Sequence, residues 1–308
     1  MYKYQLRKGG KKEICPNCGQ RRFVPYVLTE DNATLAGDGC GRCDREQSCG
    51  YWKKPDGNVV LSETQATPYV AEPIVMDGEV LKAVCNIDWR HRNSLWPYAV
   101  WLVGGREAMD AFSRYKVGQW FDMCVFPQID VYGNVRSGKM MQYKDGHRVK
   151  DGVPVRWLHK VKTFAKYVHG EAVNQCLFGE HLLNEYPDKA VAIVESEKTA
   201  VLMSAIEPDR LWLACGGSQN LKNVEKLKPL EGRIVTLVPD HGQWIAWRKL
   251  ANDYSAMKGR DFSISCDPTC SMLRDGMKQG YDILDLYEKW RKDDERKKEC
   301  QMIMEDVL

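Results

Sequence analysis

The sequence has no apolar run of the roughly 18 residues that a membrane-spanning helix needs, and its start, MYKYQLRKGG, has no apolar stretch of the secretory kind. It contains no GxxxxGK(S/T) phosphate loop, so a helicase-type motor is not expected within it. Internal repeats and long low-complexity tracts are absent as well. So is a strong net charge: 45 Lys and Arg against 42 Asp and Glu leave +3. These absences point away from membrane and secreted proteins and towards a cytoplasmic location. In such a reducing compartment the twelve cysteines read as thiols and metal ligands, not as a disulfide framework. What is present can build a sizeable core, with 44% hydrophobic residues and ten tryptophans. A length of 308 residues suggests two or three domains.

Charge is uneven locally. Lys3, Arg7, Lys8, Lys11, Lys12, Arg21 and Arg22 stand near the N-terminus with only Glu13 against them, a basic arm able to contact phosphates. Residues 13–54 are dense in cysteine and turns. Residues 55–95 show little periodicity. Residues 96–116 can form helical turns around Gly104–Gly105. "CVFPQID" (124–130) and "VRSGKMMQY" (135–143) read as a hairpin about Tyr132–Gly133–Asn134. Residues 176–190 read as a helix. Then apolar strands at 190–195, 211–215, 234–238 and 262–266 alternate with helices at 196–206, 221–229 and 243–257, the pattern of a parallel α/β sheet. The fold class expected is α/β in this half and α+β overall.

The cysteines fall as Cys15-x2-Cys18, Cys40-x2-Cys43 and Cys49. Two knuckles, each a tight turn aiming two thiolates at one cation, close a tetrahedral zinc site. The second pair is either Cys40 with Cys43 or Cys43 with Cys49. A closed four-cysteine site is structural. Around it stand Arg21, Arg22, Phe23, Tyr26, Tyr51, Trp52, Lys53 and Lys54, a mixture of cations and aromatics suited to single-stranded nucleic acid. The plainer alternative is that Phe23 and Tyr51 only pack a small domain.

In the α/β half, Glu195 ends one strand and Asp240 another, where side chains of such sheets face the ligand crevice. Two carboxylates there can hold Mg2+. Glu197, in the first turn of the following helix, reads as an acid favoured by the helix dipole. "CGGSQNL" (215–221) is a tight loop able to approach phosphate.

"IVESEKTA", "CGGSQNL", "LVPDHG" and "GYDILDLY" occur in the order of a Toprim domain. "VFPQIDVYGNVRSGK" and "CLFGEHLL" upstream resemble the core of DnaG-type primases, behind an N-terminal zinc ribbon. The chain resembles the zinc-ribbon plus Toprim primase-like proteins of Bacteroides-type mobile elements and phages. That resemblance selects Cys15, Cys18, Cys43 and Cys49 as the zinc ligands, with Cys40 the alternative. It implies Glu195, Asp240 and Asp282 (with Asp285 nearby) as catalytic and Mg2+- or Mn2+-binding residues. It also implies Arg136 and Lys139 as nucleic-acid or nucleotide contacts, to which Lys198 and, from the ribbon's mixture of cations and aromatics, Arg21 and Arg22 are added. Lys144 and Lys160 are weaker candidates, and His241 a loop or substrate contact.

The resemblance divides the chain into a zinc ribbon with basic arm (1–62), a connector (63–95), a primase-like subdomain (96–175), a Toprim-like domain (176–290) and a charged tail (291–308). The activity implied is primer synthesis from NTPs on single-stranded DNA, with a helicase or replication protein in trans. One position departs from the pattern: Gly242 stands where a second aspartate is expected. Two-metal phosphoryl transfer needs several carboxylates, so a catalytically degenerate nucleic-acid-binding protein and a Toprim nuclease remain as alternatives.

Overall fold

The computed structural model describes residues 3–45, 48–56, 59–60, 72–85, 93–268, 270 and 281–307. The chain forms two compact units, Met1–Glu72 and Pro73–Leu308. In the first, β1 (Tyr4–Leu6), β2 (Phe23–Leu28), β3 (Gly41–Cys43), β4 (Trp52–Lys53) and β5 (Val59–Val60) form an antiparallel sheet in that order. The β2 strand alternates buried and half-buried residues with the period of two that a sheet imposes. Its inward residue Phe23 joins Cys15, Cys43, Cys49 and Tyr51 in a small core.

The second unit begins with β6 (Val75–Met76), α1 (Glu79–Val84), α2 (Trp96–Val103) and α3 (Gly105–Arg114). There follow β7 (Gly118–Trp120), β8 (Met123–Ile129), β9 (Val135–Met141), the hairpin β10 (Tyr143–Lys144) and β11 (His147–Arg148), β12 (Arg156–Trp157) and β13 (Val168–His169). An antiparallel sheet runs β13-β6-β9-β8-β7, with β12 also on β9. Every residue of β8 is buried because the sheet is covered on both faces. Val125 and Ile129 pack with Met76, Val84, Met140 and Leu158. Cys124 and Phe126, on the opposite face, join the main core.

That core is shared with four parallel strands: β14 (Val191–Val194), β15 (Leu211–Ala214), β16 (Ile234–Leu237) and β17 (Ser263–Cys266), in the order β15-β14-β16-β17. Helices α4 (Glu197–Ile206), α5 (Trp244–Ser255) and α6 (Ile283–Val307) accompany them. The continuous apolar runs of β14 and β15 are wholly buried, as strands covered on both faces are. The fold is therefore mixed α+β: a zinc ribbon, antiparallel sheets and a four-stranded parallel sheet.

Three stretches differ from the sequence pattern. Residues 176–190 hold only a 3-10 turn, Glu180–Leu183, because Phe178 exchanges backbone hydrogen bonds with Ala214 (2.9 and 3.1 Å) and is drawn out beside the parallel sheet. The helix expected over 221–229 is two 3-10 segments, Ser218–Lys222 and Val224–Leu230, since Pro229 lacks the N–H an α-helix needs. Within 63–95, which reads as a connector, the described part holds α1 and a strand, Val75–Met76, that pairs with β9 and β13.

Candidate metal centre and carboxylate cleft

The thiols of Cys15, Cys18, Cys43 and Cys49 lie within 4.8 Å of one another, the one such cluster of metal-ligating groups among the described residues. Each pair is aimed by a tight turn. Gly19 N–H bonds Cys15 O at 2.9 Å, and Cys49 N–H bonds Arg45 O at 2.7 Å. Asn17 clamps the second turn by donating to Cys49 O at 3.0 Å. The fifth cysteine stands apart: Cys40 Sγ donates to Lys54 O at 3.4 Å. Four convergent thiols with no open position fit a structural zinc ion.

The ribbon's aromatics divide. Phe23 and Tyr51 are buried and meet edge to face, so they pack the ribbon. Tyr26, Arg42 and Trp52 come from adjacent strands and lie on one half-buried face of the sheet. Trp52 Nε1 donates to the Tyr26 hydroxyl at 3.0 Å, and Arg42 and Lys54 stand over its ring at 5.4 and 5.1 Å. Arg42 escaped the sequence reading, which had no way to pair β3 with β4. Arg21 and Arg22 are exposed, Arg22 facing Asp44 at 3.6 Å.

In the second unit, a cleft of about 450 Å3 opens at the tips of the parallel strands. Glu195 follows β14, Asp240 follows β16, and Asp282 precedes α6; all three line it, with Glu197, Lys198 and Asp285. The antiparallel side contributes Lys139 from β9 and His147, Arg148 and Lys150 from the β10–β11 hairpin. Lys139 Nζ donates at 3.0 Å to both Glu197 Oε2 and Gly216 O. Glu197 is buried, 1% exposed, and its Oε1 has no hydrogen-bond partner among the described residues. The dipole argument thus explains where Glu197 sits in α4 but not what its side chain does.

Five carboxylates share the cleft with four Lys and Arg side chains. Burial, with the carboxylates of Asp282, Glu195 and Asp285 adding and Lys198 opposing, pushes the Asp240 carboxyl up to about 8. Burial also raises Glu195. Asp282 is committed in another way. Its Oδ2 accepts from Thr199 Oγ1, its Oδ1 from Asp285 N–H at 3.0 Å, and its own N–H donates to Asp285 Oδ2 at 2.9 Å. The last two bonds form a reciprocal cap on α6.

The loop after Asp240 explains Gly242. It has a φ of 89°, the left-handed region that favours glycine. Gln243 N–H folds back onto Asp240 O at 3.0 Å, and His241 N–H bonds Tyr281 O at 2.7 Å. His241 does not line the cleft.

Arg136 and Lys139 line different cavities. The β8–β9 register passes from Gln128–Ser137 to Ile129–Val135, so Arg136 is the extra residue of a bulge. It pairs with Asp130 at 2.7 Å and lines a separate cavity of about 400 Å3 with Glu180 and Lys226. Lys144 and Lys160 are exposed and outside the cleft. Conversely His147, Arg148 and Lys150 entered none of the sequence-level candidates. The signal was there: "YKDGHR" is a two-residue Asp-Gly hairpin, and it brings these side chains to the cleft.

Residues 2–63 match a zinc beta-ribbon finger family, and residues 93–241 match a domain family of unknown function, DUF6371. No curated protein matches the chain. Solved structures similar to it include the zinc-binding and RNA polymerase domains of the Aquifex aeolicus primase (14% identity, 95% of this chain and 79% of that one, TM-score 0.38). Another is the primase fragment of the bacteriophage T7 primase-helicase protein (14% identity, 65% and 70%, TM-score 0.36). A third is a DNA primase domain from Pseudomonas aeruginosa (17% identity, TM-score 0.30), where the match covers 52% of this chain and 49% of that domain. No helix among the described residues is long and apolar enough to cross a membrane.

Proposed function

We propose that the chain is a primase-like nucleotidyltransferase that binds single-stranded DNA and joins NTPs with a divalent cation. The observation that carries this reading is the cleft. It brings Glu195, Asp240 and Asp282 from separate elements into one cavity with Lys139, Arg148, Lys150 and Lys198. Carboxylates and cations lining the same cleft suit a metal–triphosphate. A DnaG-type order of zinc ribbon, hairpin and Toprim-like sheet supports the same reading.

The donor set fits one Mg2+ or Mn2+ better than two. Gly242 offers no carboxylate, and both Asp282 oxygens already accept hydrogen bonds. Asp240 and Glu195 would hold the ion, with water and phosphate as its other ligands, since Mg2+ commonly takes one or two carboxylates. Bound there, the ion would neutralise developing charge on the transferring phosphate. Lys139 is held in place by Glu197 and Gly216 O and presents a fixed positive charge to phosphate. Arg148 and Lys150, at the exposed hairpin, and Lys198 complete the anion-binding side. On the ribbon, Trp52 flanked by Arg42, Lys54 and Tyr26 is a stacking platform for template bases.

The test is incubation with single-stranded DNA, NTPs and Mg2+ or Mn2+. Short primers are expected, with Glu195→Gln reducing their yield by about two orders of magnitude or more. No products, or products unchanged in Glu195→Gln, overturns the reading. The commitment of Asp282 to capping favours a second one, a nucleic-acid-binding protein without chemistry. It predicts DNA binding that survives Glu195→Gln and weakens steeply with salt, alongside no synthesis. Divalent-dependent DNA cleavage without NTPs would point instead to a nuclease.

A further inference from the structure

A second cavity, about 490 Å3, adjoins the cleft and is of a different character. Tyr98, Trp101 and Tyr143 form its walls, and Lys144, Glu288 and Lys292 stand at its edge. Tyr143 lines both cavities. The partition between them is a stack of three groups. Lys198 Nζ, a cation of the cleft, lies 5.5 Å over the Tyr98 ring. It also donates to Gly146 O at 3.0 Å. Gly146 packs directly on the other atoms of that ring, since a Cβ there would fall 2.3 Å from it.

The rings are held before any ligand arrives. Tyr98 donates its hydroxyl proton to Glu288 Oε2 at 2.8 Å, and Glu288 pairs with Lys292. Lys292, with a half-exposed side chain, lies 5.7 Å over the Trp101 ring, so a base that stacks on this face displaces the ammonium towards solvent. The cleft next door is more than a cluster of acids, because it contains the buried Glu197 Oε1, which has no hydrogen-bond partner among the described residues.

We propose that the aromatic cavity receives the base of the nucleoside triphosphate whose phosphates lie in the cleft. The inference rests on the nucleotidyltransferase reading and adds the site that binds the nucleoside. A nucleotide joins a flat apolar ring to a chain of negative charge. Here an aromatic slot joins, across one shared tyrosine, a cleft that carries Lys139, Arg148, Lys150 and Lys198. Neither cavity alone accounts for both halves of that ligand. An aromatic side chain of a partner protein would fill the slot but would have no use for the adjoining cations.

Calorimetric titration of the full chain with ATP and with inorganic tripolyphosphate, both with Mg2+, tests this. ATP is expected to bind more tightly than tripolyphosphate. Removing one stacking ring costs roughly 5- to 150-fold in affinity, so Trp101→Ala should weaken ATP to that extent and leave tripolyphosphate unchanged. Trp101→Phe should restore most of the loss. Equal binding of the two ligands by the wild type, or equal weakening of both in Trp101→Ala, overturns the base site while the cleft reading stands. Binding of neither ligand overturns both. Photolabelling of the wild type with 8-azido-ATP needs no variant to fold. Adducts are expected within residues 94–101 or 143–145, and labelling only elsewhere overturns the proposal.

Discussion

Glu180 and Asp240 are both raised carboxyls, yet they differ in use. Asp240 faces other acids across an open cleft. Glu180 is 3% exposed and accepts backbone N–H bonds from Val131 and Leu177, both at 3.1 Å, tying the β8–β9 turn to the segment before β14. Burial lifts it from 4.5 to about 7, with Asp130 adding and Arg136 and the two N–H groups opposing. The folded state therefore binds this proton more tightly than the unfolded chain. Its contribution to stability is fully present below about pH 4.5 and is lost as the pH rises to about 7. The loss is at most about 3 kcal/mol. Urea unfolding should show the wild type losing more stability across that window than Glu180→Gln loses. An unchanged slope in the variant would refute this. The cysteines give a second contrast at this scale. Cys49→Ser should abolish stoichiometric zinc, and Cys40→Ser should retain it, as read by metal analysis of the purified variants. Zinc lost only with Cys40 would reverse the ligand assignment.

Among elements, the β10–β11 hairpin is the one whose importance the sequence reading missed. Its tip is Asp145–Gly146, with φ of 49° and 77°, the pair of positive angles that a tight hairpin turn needs. The glycine is required twice over, by this backbone and by the Tyr98 ring against it. Gly146→Ala should destabilise the unit by about 1–3 kcal/mol in denaturant unfolding, and it should move Arg148 and Lys150 away from the cleft. A neutral substitution would show that the hairpin packs loosely. Strands β14 and β16 were legible because continuous apolar runs ending in an acid have few other readings. The segments at 176–190 and 221–229 were not. The first is overruled by bridging to Ala214, the second by the Asn223 side chain, which accepts from Glu225 N–H and divides it, and by Pro229 near its end.

For the whole molecule, the consequence lies in how the core is partitioned. The ribbon's own core is Phe23 and Tyr51 around four cysteines, whereas the unit from Pro73 onward has two extensive apolar clusters. A core so small depends on its metal. Thermal unfolding followed with a zinc chelator should show loss of ribbon structure with the transition of the larger unit little moved. A single transition shifted as a whole by the chelator would contradict that independence.

By itself the sequence determined the types of structure and the chemistry available. Cysteine spacing implied a tetrahedral thiolate site, alternating apolar runs implied a parallel sheet, and strand-terminal acids implied a cleft. Those signals are local, so they survive in one dimension. Only the tertiary structure decided which groups meet. It separated Cys40 from the metal cluster, turned Arg136 away through a bulge, and tied Asp282 into a helix cap. It also paired Lys139 with Glu197 and laid an aromatic slot against the cleft. Each depends on register or on contacts between residues far apart in the chain, and no residue's own propensity encodes them.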